Sequence, residues 1–212
     1  MEVLHRPAQL QAYLEKYHIG SKFASSGLRF HLLRFGKGEC LTAPYQQLED
    51  ILFLVKGSVN IYYLRSDGGI SPVASAAPGA VFGDVEFATG HPTAFYSETT
   101  SEVLCVGLPL ARYGGCLRTD TVFLNEMLRS VGEKLDRISF LETTGQTLEE
   151  KVLIFLEAFC PDGCMHSVND AVMHLHCSRR QLQRVLKRLC DTGRLEKRQR
   201  GTYRLVPGRP KP

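Results

Sequence analysis

Apolar and polar positions along this chain change period twice. A short helix is expected over about Pro7–Tyr17. From residue 28 to residue 107 the apolar positions come in short segments: Leu28–Phe35, Ile51–Val55, Ser58–Leu64, Ile70–Ala74, Thr93–Glu98 and Val103–Leu108. They are cut by Gly36-Lys37-Gly38, Lys56-Gly57, Ser66-Asp67-Gly68-Gly69 and Pro78-Gly79. Short apolar segments between regular turn residues predict a β-sandwich or roll. Asn60–Leu64 and Ile70–Ala74 flank an Asp-Gly-Gly turn and predict a hairpin. Over Asp120–Thr143 the period becomes helical. Leu124, Leu128, Val131, Leu135 and Ile138 recur at spacings of 4, 3, 4 and 3, an apolar seam of the kind that pairs helices. That seam predicts a dimerisation helix; the alternative is a long helix packed along its own barrel. Thr147-Leu148-Glu149-Glu150 reads as a capping box opening a helix over Leu148–Phe159, which Pro161-Asp162-Gly163 ends.

The last third carries the densest chemistry. On a helix, Arg179, Arg180, Gln183, Arg184, Lys187 and Arg188 fall on one half of the cylinder, and Leu182, Val185, Leu186 and Leu189 on the other. One face packs into a core and the other is a comb of guanidinium and amide groups, which alone could be a solvated charged face. Its surroundings point further. Upstream, Ser167 or Asn169 can cap a short helix with Asp170 in its first turn. A tight turn at His176-Cys177 follows, and Ser178 caps the basic helix. Downstream, Gly193 suits a left-handed C-cap. Leu195–Arg198 and Thr202–Val206 then read as a hairpin around Gln199-Arg200-Gly201. Helix, short turn, helix and basic-tipped hairpin is the layout in which the second helix enters a DNA major groove and the hairpin reaches the backbone. Arg suits both guanine edges and phosphates.

Charge supports this division. The chain is +4 overall, but residues 151–212 hold 13 Lys and Arg against 5 Asp and Glu, while residues 1–150 hold 13 against 17. A mildly acidic front and a strongly basic tail are expected of a nucleic-acid-binding module joined to another domain. No apolar run approaches the ~18 residues that span a membrane, and the N-terminus lacks an apolar signal core. The expected location is the cytoplasm, with the seven cysteines mostly reduced. The domain reading is 1–119 roll, 120–144 dimerisation helix and 145–212 DNA-binding module: an α+β chain.

Barrel, long helix, helix-turn-helix and wing in this order resemble the Crp/Fnr family of bacterial transcription regulators. The resemblance covers nearly the whole chain. It rests on Gly38-Glu39, Phe53–Val59 and Pro78–Asp84 in the barrel, and on Cys177–Lys187 in the tail. Phe82–Pro109, with Cys105-Val106-Gly107-Leu108-Pro109, looks like the YeiL-type branch. The resemblance implies a cyclic-nucleotide-binding-like β-roll, a winged helix-turn-helix, a homodimer, double-stranded DNA as partner and RNA polymerase as a further one. It implies base reading by Arg179, Arg180 and Arg184. The family's best-known pattern has Glu where Arg180 stands; a carboxylate and a guanidinium want opposite partners on a base edge, so the half-site should differ. Lys187, Arg188, Arg198 and Arg200 are expected near phosphates, as is Ser178 at the helix N-terminus.

The resemblance also locates an effector pocket at Gly83, Asp84, Thr93 and Ala94. Cyclic-nucleotide-binding relatives carry Gly-Glu for the ribose and Arg-Ser/Thr-Ala for the phosphate. Here the second run reads Pro92-Thr93-Ala94, so the charge-assisted phosphate partner is missing. His91 supplies at most a partial charge near neutral pH. The long helix lacks the Thr-Ser pair with which the best-known relative contacts adenine. The expected effector is therefore not cyclic AMP, and small-molecule and redox inputs stay open, as does a roll kept only as a scaffold. Iron–sulfur members use a tight N-terminal cysteine cluster, which this chain lacks. A redox pair of Cys40 with Cys105 or Cys116 is one option. Cys160-x-x-x-Cys164-x-His166 and His174-x-His176-Cys177 have metal-like spacing. Cys160, however, sits at an apolar helix end, and Cys177 stands where the family has small residues, so no metal site is expected.

Two other classes are weighed. A cupin-like enzyme needs a His-x-His pair and a carboxylate on the barrel, whereas the barrel histidines His31 and His91 are isolated. No Walker loop or nucleophile elbow occurs, so no catalytic residue is assigned. An RNA-binding tail would interleave stacking aromatics, yet Tyr203 is the only aromatic residue in 178–204.

Overall fold

Two sheets and a set of helices build the N-terminal part of the computed structural model, which describes residues 1–65, 68–142, 147–158, 160, 162–199 and 201–206, with only the backbone over 137–142 and at 158. The elements in order are β1 (Glu2–Leu4), α1 (Pro7–Lys16), a 3-10 turn (Gly20–Lys22), β2 (His31–Phe35), β3 (Cys40–Thr42), β4 (Asp50–Lys56), β5 (Val59–Leu64), β6 (Ile70–Ala76), β7 (Val81–Phe82), α2 (Asp84–Thr89), β8 (Phe95–Thr99), β9 (Val103–Pro109), α3 (Leu110–Leu117) and α4 (Thr121–Glu142). The C-terminal part follows with α5 (Leu148–Ala158), β10 (Cys164–Met165), α6 (Val168–His174), α7 (Arg179–Asp191), β11 (Leu195–Gln199) and β12 (Thr202–Leu205). The chain forms two compact units: Met1–Ser71 with Ser75–Arg137, and Pro72–Ala74 with the part beyond Arg137. Most of α4 thus belongs to the roll's unit.

The roll pairs sheet β1-β2-β9-β4-β7 with sheet β3-β8-β5-β6. Its central strands look like continuous apolar runs because both faces are covered. On β4, Ile51, Phe53 and Val55 enter a core shared with the helices, while Leu52 and Leu54 enter the core between the sheets. On β9, Leu104, Val106 and Leu108 face the first core, and Val103 and Cys105 the second. Side chains alternate across a strand, so a strand between two layers must be apolar at every position.

Every anticipated strand of the roll is present within a few residues. The unanticipated elements β1, β3, β7, α2 and α3 are short, at two to eight residues each. Short segments display too few periods to register as pattern.

Helix α4 packs one stripe on the roll. Phe123 and Met127 lie in the core, where the Phe123 ring stacks on Phe23 and meets Phe87 edge-on, both at 5.2 Å. The predicted seam lies one residue further round. Leu128 and Leu135 are 71% and 63% exposed, Leu124 is exposed and Val131 half-buried. The packing of α4 along its own barrel is therefore present on one face, and the predicted seam is left on the adjacent, more exposed one. Ile138 and the hinge residues 143–146 lie outside the residues whose side chains are described.

Asp120 fixes the start of α4. Its buried carboxylate accepts from the N–H groups of Phe123 (3.0 Å), Ala24 (3.0 Å) and Ser25 (2.8 Å). Burial alone would raise this carboxyl, but those donors outweigh it and hold it well below the usual carboxylate range. The contribution is complete above the unfolded value near ~3.9 and is lost as pH falls toward the folded one. Asp120→Asn is expected to lower the urea midpoint at pH 7 and to flatten its decline below pH 4; an unchanged acid limb would show that other carboxylates set it.

In the second unit, Val152, Phe155 and Leu156 of α5 pack with Val168, Ala171, Leu182, Leu186, Leu189 and Leu195. The capping box is formed as expected: Thr147 N–H donates to Glu150 Oε2 (2.9 Å) and Glu150 N–H to Thr147 Oγ1 (3.3 Å). Three strands, β10-β12-β11, close this unit.

Candidate nucleic-acid interface and roll pocket

The basic helix α7 is terminated at both ends by its own sequence. Ser178 Oγ accepts from Gln181 N–H (3.2 Å), and Gln181 Oε1 accepts from Ser178 N–H (2.9 Å), a complete capping box. At the other end Gly193 takes φ +70°, Gly193 N–H donates to the Cys190 carbonyl and Arg194 N–H to that of Leu189, both at 2.9 Å. This is a Schellman motif. Ser167 caps α6, resolving the choice with Asn169. The turn between the helices places His176 at φ +49°, a left-handed conformation that costs a non-glycine residue about 1 kcal/mol.

Packing divides α7 as the pattern requires. Leu182, Leu186 and Leu189 are fully buried and Val185 half-buried. Ser178, Arg179, Arg180, Gln183, Arg184, Lys187 and Arg188 are exposed. The positions differ in what holds them. Arg179 Nη1 donates to Asn169 Oδ1 on α6 (2.8 Å), which orients its guanidinium from the neighbouring helix. Arg188 is ion-paired with the largely buried Glu149 of α5, so much of its charge is compensated within the unit. Arg198 on β11 is exposed and pairs with Glu196 at 3.0 Å. Arg180, Arg184 and Lys187 have no acidic partner among the described residues. Arg200 lies outside the described residues. The pairing of Asn169 with Arg179 and of Glu149 with Arg188 was not legible in the sequence, because each acts across a helix–helix contact that spacing does not reveal.

The four pocket residues are in one neighbourhood, but their polar groups are engaged. Gly83 caps α2 at φ +92°; a Cβ there would lie 2.6 Å from Leu48 Cδ2 and 3.2 Å from the Asp50 carbonyl, so the backbone alone requires glycine. Asp84 is buried, and both its oxygens accept from Lys134 Nζ of α4 at 2.6 Å. Ser130 Oγ adds a third hydrogen bond at 2.6 Å, and Lys134 also donates to the Val81 carbonyl (2.9 Å). Thr93 Oγ1 donates to Glu86 Oε1 at 2.7 Å, which puts a carboxylate beside the hydroxyl that would meet a phosphate. The Ala94 carbonyl accepts from Leu64 N–H (3.0 Å). Lys134, Ser130 and Glu86 were not legible as partners, because α4 and α2 meet the pocket only in three dimensions.

Beside it lies a groove of about 790 Å³, lined among others by His31, Asp50, Glu86, His91 and Arg118. Burial pushes the Asp50 carboxyl up, against the opposing charge of His31, whose Nε2 is 3.2 Å away. His31 and His91 share this groove without forming a cluster of metal-ligand atoms.

Cys105 is buried in β9, and burial pushes its thiol up to about 12, which leaves it almost no thiolate at neutral pH. That disfavours it as half of a redox pair, while Cys40 and Cys116 are exposed. His174 is half-buried, its ring 5.3 Å from Phe155 and its Nδ1 bonded to the Asp170 carbonyl at 2.8 Å. No described helix is long and apolar enough to cross a membrane.

Residues 32–120 match the family model for the cyclic nucleotide-binding domain. No curated protein matches the chain's sequence. Solved structures share its fold. FixK2 from Bradyrhizobium japonicum is 21% identical with a TM-score of 0.66, over 84% of this chain and 93% of that one. A CRP-family transcriptional regulator from Thermus thermophilus is 20% identical with a TM-score of 0.58, over 82% and 91%. The c-di-GMP-responsive global regulator CLP from Xanthomonas campestris is 16% identical with a TM-score of 0.63, over 93% and 100%. At these identities the likeness establishes the fold: an N-terminal cyclic-nucleotide-binding-type β-roll in an α+β chain.

Proposed function

We propose that this protein is a sequence-specific DNA-binding transcription regulator of the Crp/Fnr type, acting in the cytoplasm as a homodimer. The observation that carries the reading is α7: a helix capped at both ends, buried on its leucine face, with Arg180, Arg184 and Lys187 exposed and without acidic partners among the described residues. Arg179, Arg180 and Arg184 read base edges, with Gln183 suited to adenine. Ser178, Lys187, Arg188, Arg198 and Arg200 position the helix on phosphates; Arg188 and Arg198 do so with charges already shared with Glu149 and Glu196. The seam of α4, with Leu124, Leu128 and Leu135 exposed and Val131 half-buried, extended by Ile138, pairs two chains, and the dimer reads two half-sites about 34 Å apart. RNA polymerase is the further partner. The Phe82–Pro109 stretch favours the YeiL-like branch.

The effector is not cyclic AMP. A nucleotide entering at Asp84 must displace Lys134, and its phosphate would meet the Glu86 carboxylate with no arginine at position 92. Whatever the roll senses acts through the Thr143–Thr147 segment on the spacing of the two recognition helices.

Selection of bound duplexes from a random DNA pool, under reducing conditions at physiological salt, tests the reading. A two-fold-symmetric site with half-sites one turn apart is expected; enrichment no better than non-specific binding overturns it. Within the selected site, Arg179→Ala should relax preference at one base pair and cost roughly 1–3 kcal/mol there. Lys187→Ala should instead weaken all sequences alike and reduce the salt slope by about one. A uniform loss in Arg179→Ala would reassign that residue to the backbone.

A further inference from the structure

The turn that feeds β10 gathers three metal-ligand side chains of different chemistry. Asp162, Cys164 and His166 alternate with Gly163 and Met165 along this turn and the two-residue strand that follows it. One donor atom from each lies within 4.8 Å of the others, the only such group among the described residues. Gly163 between them adopts φ +66°, and its N–H donates to the Cys160 carbonyl at 2.8 Å, closing the turn. Asp162 Oδ1 accepts from Cys164 N–H (3.0 Å), which folds the carboxylate over the thiol. Asp162 Oδ2 lies 2.7 Å from His166 Nε2.

We propose that Asp162, Cys164 and His166 form a binding site for a borderline divalent cation of the zinc class. The donor set decides the class. Calcium and magnesium take oxygen ligands in numbers this turn does not offer. One thiolate, one imidazole and one carboxylate suit zinc, with water in the fourth tetrahedral position. Donor atoms around a tetrahedral zinc lie roughly 3.3–3.8 Å apart; the three donors here already lie within 4.8 Å of one another, and the 2.7 Å Asp162 Oδ2–His166 Nε2 pair opens to that range when both turn to the ion. Binding releases the Cys164 thiol proton to solvent and takes His166 in its neutral form. The pairing of metal-like spacing with His174 and His176 is not what assembles: the partner is Asp162. The site clamps the entry to β10, whose residues Cys164 and Met165 pair with Arg204 and Tyr203 of β12. It stands apart from the DNA-binding reading.

Titration of the full chain with Co²⁺, in a non-thiol reductant, tests this. A thiolate-to-cobalt charge-transfer band saturating at one equivalent, and bleached by Zn²⁺, is expected. Cys164→Ser should abolish the band and Cys116→Ser, at an exposed thiol elsewhere, should keep it. His166→Ala, at a side chain 67% exposed and therefore harmless to folding, should weaken cobalt binding by at least 10–100-fold, the range of outer-sphere losses. Absence of a saturable band, its persistence in Cys164→Ser, or unchanged affinity in His166→Ala overturns the proposal.

Discussion

Glutamates at Leu128 and Leu135 together are expected to leave the chain monomeric, with a mass of 23.7 kDa in solution rather than twice that. Both side chains are largely exposed in the single chain, at 71% and 63%, so their replacement should shift monomer stability by no more than about 0.5 kcal/mol. The cost falls on association. Burial of a leucine contributes roughly 1.5–3 kcal/mol, and four leucines across a two-fold seam make about 6–12 kcal/mol as an upper bound, before any repulsion among four carboxylates. Loss of the dimer removes the second half-site from each binding event, and DNA affinity should fall by roughly 10²–10⁴-fold. Light scattering checks the first outcome and a filter-binding titration on the selected site the second. A variant that stays dimeric would move the interface off this face. One that is monomeric yet binds with undiminished affinity would separate DNA reading from pairing.

The second large effect is expected inside the roll. Lys134→Met removes the ammonium from Asp84 and leaves a buried carboxylate with only Ser130 Oγ–H and the Val85 N–H (3.0 Å) as donors. Removal of one partner from a fully buried pair costs roughly 3–5 kcal/mol. Lys134 is 38% exposed and water screens part of the interaction, so the loss should fall near the lower end, about 3 kcal/mol. Asp84→Asn/Lys134→Met should recover most of it, because an amide needs no counter-charge. Urea denaturation of the wild type, both single variants and the double variant measures the coupling. A double variant no better than Lys134→Met would show that the lysine acts through packing. Addition of cyclic AMP should leave the wild-type midpoint unchanged, since the Asp84 carboxylate is already engaged by Lys134 of α4.

The sequence made the strands of the roll legible because β4 and β9 are covered on both faces, and only apolar residues tolerate that. It also made α7 legible in detail. Its cap residues, leucine stripe and terminal glycine act within a few residues of one another, and local hydrogen bonds follow local spacing. The short elements β1, β3 and β7 were not legible, because two or three residues show no period and are held by the strands they pair with.

The side chains around each site followed the same division. Which face of α7 is basic, where it starts and where it stops were decided by the sequence alone, as was the apolar seam of α4. That Arg179 is oriented by Asn169, that Arg188 is shared with Glu149, and that Lys134 and Glu86 engage the Asp84 carboxylate and the Thr93 hydroxyl were decided only in the tertiary structure. The physical reason is range. Caps, turns and amphipathic stripes form between neighbours along the chain. A charge fifty residues away becomes a partner only when packing of α4 on the roll brings Lys134 to Asp84, and no pattern in either segment records the other.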